Sequence, residues 1–139
     1  MSSVEWNKGN FIALSALTIK VYMAYKDAPS DHRHISDEVA ALQILIGKAA
    51  QYFNGNTISS DDRHEGQKIL KGCQSILGDL DFLIEKYKRL SSRNKMLVLT
   101  GVKSGKKEDI ITLQERLISG TVLLNGFVRR FVILPSPIL

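Results

Sequence analysis

The residue pattern closest to a catalytic or ligand-binding motif is a glycine- and lysine-rich stretch that resembles a phosphate-binding loop, Gly101–Lys107. A P-loop needs one more residue between its two glycines, and a serine or threonine where Lys107 stands. No strand pattern precedes the stretch. We therefore do not expect a nucleotide site here.

The histidines and the single cysteine do not form a metal-binding pattern. His32 and His34 are two residues apart, so on a helix they face apart. His64, followed by Glu65, lacks the second histidine of a zinc-protease helix. Cys73 falls at an apolar helical position, which predicts a buried, unreactive thiol. We predict no metal and no cofactor.

The acidic residues do not suggest acid–base catalysis. Asp79 and Asp81 are two residues apart and point to different faces of a helix. Two carboxyl groups that act as acid and base must converge on one substrate. We expect Asp79 to cap a helix or to pair within the fold, and we predict that the protein is not an enzyme.

Charge is concentrated in one stretch. Residues 86–107 contain eight basic residues and no acidic one, although the whole chain has a net charge of only +5. These residues are Lys86, Lys88, Arg89, Arg93, Lys95, Lys103, Lys106 and Lys107. The stretch is either a solvated loop or a surface for an anionic partner. Anionic lipid is the favoured partner, and nucleic acid is disfavoured because the stretch offers no aromatic stacking platform.

Length and composition indicate one globular domain, 1–139. The chain is 44% hydrophobic and 24% charged, which excludes a disordered or fibrous protein. One cysteine permits no internal disulfide and fits a reducing compartment. There is no secretory signal pattern and no apolar run of about 18 residues. We expect a cytoplasmic protein that can be recruited to the plasma membrane.

Helical periodicity covers most of the chain and predicts an all-α antiparallel bundle with one long central helix. Four helices are expected at about 8–27, 29–53, 60–91 and 107–133. The third has the clearest apolar stripe, and Ser59 or Ser60 is its expected N-cap. Gly120 and Gly126 in the fourth helix leave two alternatives open: each allows close approach of another helix, or each is merely tolerated.

The first predicted helix is apolar on most of its faces. Such a helix is buried, or it contacts a second chain or a lipid surface. We therefore expect its apolar residues to form an oligomer interface or a membrane-inserting surface. They include Phe11, Ile12, Leu14, Leu17, Ile19, Val21 and Tyr22.

Short strings along the chain are similar to the HeLo-like (SesA-like) helical domains of filamentous fungi. Those domains usually form the N-terminal part of NOD-like (STAND) receptors or of ankyrin-repeat proteins. The matching strings run from about residue 10 to residue 128. They are Val21-Tyr22, Tyr25-Lys26-Asp27-Ala28-Pro29, Ile35-Ser36, Glu38-Val39, Leu42, Ile69-Leu70, Gly72-Cys73, Leu77, Asp79-Leu80, Lys86-Tyr87, Glu108-Asp109-Ile110, Leu113, Arg116-Leu117 and Leu123-Leu124.

The resemblance implies a helical bundle that acts in fungal non-self recognition or regulated cell death. It also implies partners that are further copies of the chain or related helical domains. In the best understood relatives, an oligomerising trigger releases an apolar N-terminal segment that permeabilises the membrane, and the resemblance implies that Phe11–Tyr25 is the corresponding segment here. The 139 residues contain neither the nucleotide-binding domain nor the repeats that follow in those receptors.

Two other interpretations of the sequence compete with a membrane-active effector. One is a helical adaptor that binds proteins without membrane activity. The other, less favoured, is a basic nucleic-acid-binding module.

Overall fold

The computed structural model describes residues 6–27, 34–55, 58–88 and 110–131, and within them all regular structure is helical. The helices are α1 (Lys8–Lys26), α2 (His34–Asn54), α3 (Ser60–Lys88) and α4 (Ile110–Arg129). Across these residues the predicted all-α bundle of four main helices is confirmed, and α3, with 29 residues, is the longest of the described helices. α1 and α3 begin where the sequence predicts; the predicted boundaries at 29, 91, 107 and 133 lie outside the described residues.

α1 packs between α2 and α3. The rings of Phe11, near the start of α1, and Phe53, near the end of α2, lie 5.2 Å apart edge to face, so these helices are antiparallel. The Tyr25 hydroxyl at the end of α1 donates a hydrogen bond to the carbonyl of Leu80 in the second half of α3 at 2.9 Å. α1 and α3 therefore run in the same direction.

α4 closes the bundle against α3 and α2. It is antiparallel to α3, because Phe127 near its end covers Gly66 near the start of α3. It is parallel to α2, because Phe131 packs on Tyr52 with ring centroids 5.3 Å apart. The four helices thus form a ring in the order α1, α2, α4, α3, with α1 and α4 on opposite corners. Helices consecutive in the chain are antiparallel, as predicted.

The core is the shared interior of this ring, and every helix contributes an apolar stripe to it at spacings of three and four residues. The α1 stripe also includes Thr18, whose hydroxyl donates a 2.6 Å hydrogen bond to the Leu14 carbonyl. Because its polar atom is satisfied locally, Thr18 is buried without an unpaired group. The side chains with at most 1% exposure include Leu14, Val21, Tyr25, Ile35, Val39, Leu42, Ile46, Ala49, Leu70, Cys73, Leu77, Leu80, Leu117 and Leu124.

The starts of α1 and α3 are capped by side chains. Asn7 and Asn10 form a reciprocal capping box: each side-chain oxygen accepts a hydrogen bond from the other residue's backbone N–H. At α3 the Ser59 hydroxyl oxygen accepts from the Asp62 N–H at 3.0 Å, which makes Ser59 the N-cap of the two predicted candidates.

The sequence left open whether Gly120 and Gly126 allow close helix packing or are merely tolerated, and the structure gives a different answer for each. A Cβ at Gly120 would lie 3.1 Å from Ile76 Cδ1 and 3.5 Å from Cys73 Sγ, so Gly120 permits the close approach of α3 and α4. A Cβ at Gly126 would meet nothing within 4 Å. Gly126 is therefore tolerated and has no packing role.

Among the glycines of the described residues, Gly66 has the least room for a Cβ atom, and the sequence pattern did not single it out. A Cβ there would lie 2.5 Å from Phe127 Cζ and 3.0 Å from Phe53 Cε1. We predict that Gly66→Ala lowers the free energy of unfolding by about 1–3 kcal/mol through overpacking. Gly72→Ala, in the same helix with nothing within 4 Å, is the matched control and should raise it by about 0.5–1 kcal/mol.

Urea denaturation of the two variants beside the wild type measures both changes. If Gly66→Ala and Gly72→Ala changed the free energy of unfolding equally, the packing of α4 on the start of α3 would be contradicted.

Candidate functional site

The outward side of α1 is a candidate interaction surface, because it exposes several apolar side chains in a row. Its exposed apolar side chains are Ile12 (62% exposed), Ile19 (47%) and Met23 (50%), with the exposed Ala16 between them. We call these four residues the outer strip. The same helix buries a second apolar stripe in the core.

The outer strip arises from the residue spacing. Its members are separated by four, three and four residues, so they fall on one narrow line along the helix. The buried residues Phe11, Leu14, Thr18, Val21 and Tyr25 follow the same kind of spacing on the other side. α1 is therefore apolar on two opposite faces, and packing within the bundle covers one of them.

Basic side chains flank the outer strip. Lys8, Lys20 and Lys26 are all exposed. Lys20 Nζ lies 3.2 Å from Asp81 Oδ2, with 57% of the Lys20 side chain still exposed. At that exposure the ion pair contributes little to stability, but it orients Lys20 beside the strip.

The inner face of α1 is fixed by buried polar contacts. The Trp6 backbone N–H donates to Gln67 Oε1 at 2.8 Å. The Tyr25 hydroxyl donates to the Leu80 carbonyl, and burial, with a smaller contribution from Asp81, raises the pKa of Tyr25 well above its ordinary value. The phenol therefore stays neutral and remains a donor. These contacts hold both ends of α1 in register with α3.

The seven residues predicted as an interface separate into three groups. Ile12 and Ile19 lie on the outer strip. Leu17 and Tyr22 are half-buried and pack against the core. The remaining three, Phe11, Leu14 and Val21, are buried, so no partner reaches them while the bundle is closed. Sequence reasoning left out Ala16 and Met23, although their spacing from Ile12 and Ile19 was the signal that could have found them.

The predicted anion-binding stretch lies largely outside the described residues. Lys86 is half-buried in α3, and Lys88 is the last residue of that helix. The other members lie outside the described residues: Arg89, Arg93, Lys95, Lys103, Lys106 and Lys107. Binding of an anionic partner by this stretch stays a prediction.

The described part of the chain holds no group of three or more His, Cys, Asp or Glu side chains that could bind a metal ion. Cys73 is buried as predicted, and burial raises the pKa of its thiol to about 11. Such a thiol is poorly nucleophilic at neutral pH. Asp79 pairs with Arg116 of α4 at 2.8 Å, which is the structural pairing expected for it.

Comparisons with protein-family models, with curated proteins and with solved structures find no significant match to this chain. The similarity to HeLo-like domains therefore stays a prediction from the sequence. Among the described helices, none is long and apolar enough to cross a membrane.

Proposed function

We propose that this protein is a non-enzymatic signalling module that acts by association with other helical domains, itself included, through the outer strip of α1. The observation that carries the proposal is the half-exposed row of Ile12, Ile19 and Met23 on a helix whose opposite face is already buried. Contiguous exposed apolar surface of this kind marks interaction sites in globular proteins.

The geometry of the strip suits a helical partner. Apolar residues separated by four, three and four positions form the seam along which two helices pack. A row of four residues is smaller than a stable protein interface, which takes about 20–30 residues and about 800 Å² from each partner. We therefore expect weak association that depends on concentration. Such a domain would associate where copies are brought close together.

The similarity to HeLo-like domains suggests the biological setting. We propose that clustering of this domain transmits a signal in fungal non-self recognition or regulated cell death. This setting rests on the matching strings in the sequence. The association itself rests on the outer strip, so the two parts of the proposal can be tested separately.

Replacing Ile12 and Ile19 together by glutamate should weaken self-association more than tenfold. Each buried isoleucine contributes about 1.5 kcal/mol or more, and 1.4 kcal/mol corresponds to a factor of ten in the dissociation constant. Ile44→Glu is the matched control, because Ile44 is 62% exposed on α2, away from the strip. Sedimentation equilibrium over a roughly hundredfold range of concentration provides the dissociation constants.

Both glutamate variants should keep the helical circular dichroism of the wild type, because the replaced side chains are exposed. A wild type that remains monomeric over the whole range would refute the proposal. Equal weakening by Ile44→Glu would show that association does not use the outer strip.

A second candidate is attachment to anionic membranes, favoured by the exposed Lys8, Lys20 and Lys26 beside the outer strip. An apolar helix face flanked by lysines binds the interface of an anionic bilayer by burial and by charge. We expect sedimentation with phosphatidylserine-containing vesicles at low salt, little sedimentation with neutral vesicles, and loss of binding in the Ile12→Glu, Ile19→Glu variant. Binding that survives this variant would exclude the strip as the membrane contact.

A further inference from the structure

α4 carries a second outward apolar row with the same spacing as that of α1. Ile111 (61% exposed), Ile118 (41%) and Val122 (64%) lie along it, and the exposed Glu115 occupies the remaining position. We call these four residues the α4 strip. Its members are separated by four, three and four residues, as in the outer strip. Its helix, like α1, buries the opposite face in the core.

The two strips lie on opposite sides of the bundle. α1 packs on α2 and α3, α4 packs on the same two helices, and each strip faces away from the shared core. One copy of the chain therefore cannot cover its own outer strip with its own α4 strip. Contact between them requires two copies and joins different surfaces of each.

The order of residues favours one direction of packing. With the helices parallel, Ile12 meets Ile111, Ile19 meets Ile118, Met23 meets Val122, and Glu115 meets the small Ala16. Lys20, four residues after Ala16, already pairs with Asp81, but 57% of its side chain is exposed, so its ammonium group can also approach the Glu115 carboxylate of the second copy. With the helices antiparallel, Glu115 would instead face the large apolar side chain of Ile19, which would bury more of its carboxylate than the small Ala16 does.

We infer that the partner of the outer strip is the α4 strip of a second copy, joined head to tail. This inference rests on the proposed function and specifies its partner surface. A contact of this type leaves one free strip at each end of a dimer. Further copies therefore add until a ring closes or a filament grows.

Mixing two variants tests the inference. In the first variant, Ile12 and Ile19 are glutamate; in the second, Ile118 and Val122 are glutamate. Each variant alone keeps one intact strip with no complementary strip, so each should associate at least about tenfold more weakly than the wild type. An equimolar mixture should form a heterodimer, because the intact strips then complement each other, and it should form nothing larger.

Sedimentation velocity, with one variant fused to a small mass tag, distinguishes the species. The Ile44→Glu variant, mixed with either strip variant, is the control for nonspecific effects of charge. Failure of the two variants to form a heterodimer would overturn the inference. If the second variant alone associates like the wild type, then outer strips pair with each other, and the proposed function survives without this inference. A monomeric wild type would overturn both.

Discussion

The burial of the inner stripe of α1 between α2 and α3 is the interaction on which the other features depend. It aligns Phe11, Leu14, Val21 and Tyr25 with the core and thereby fixes the rotation of α1 about its axis. Once the rotation is fixed, the remaining apolar residues of the helix must face outward. The outer strip follows from the stability of the bundle and from a composition that supplies more apolar residues than one face can bury.

Polar contacts set the position of α1 along its axis. The Tyr25 hydrogen bond to Leu80 and the Trp6 hydrogen bond to Gln67 lie near opposite ends of the helix, and both are buried. A slip of α1 by one turn would leave these groups unpaired in the core, at a cost of about 1–3 kcal/mol for each. The outer strip is therefore held at a defined height beside Lys20, and it presents a fixed surface to a partner.

Periodicity predicted the four helices of the described residues, the stripe and cap of α3, and the excess of apolar residues on α1. It could not predict the order of helices around the ring, because that order depends on contacts between distant residues such as Tyr25 and Leu80. For the same reason the sequence left Gly120 and Gly126 equivalent and overlooked Gly66. The sequence pattern also grouped buried and exposed residues of α1 into one interface. The buried stripe of α1 includes Thr18, and because threonine is polar, hydrophobic periodicity could not separate this stripe from the exposed one.

Methyl NMR on a dilution series tests most directly whether the outer strip is an association surface. The methyl signals of Ile12, Ile19 and Met23 should move with protein concentration, because their surroundings change from water to a partner helix. Those of Leu14 and Val21 in the core, and of Ile44 on α2, should stay in place. Signals of the strip that do not depend on concentration, or a shift of equal size at Ile44, would contradict the proposed role of α1.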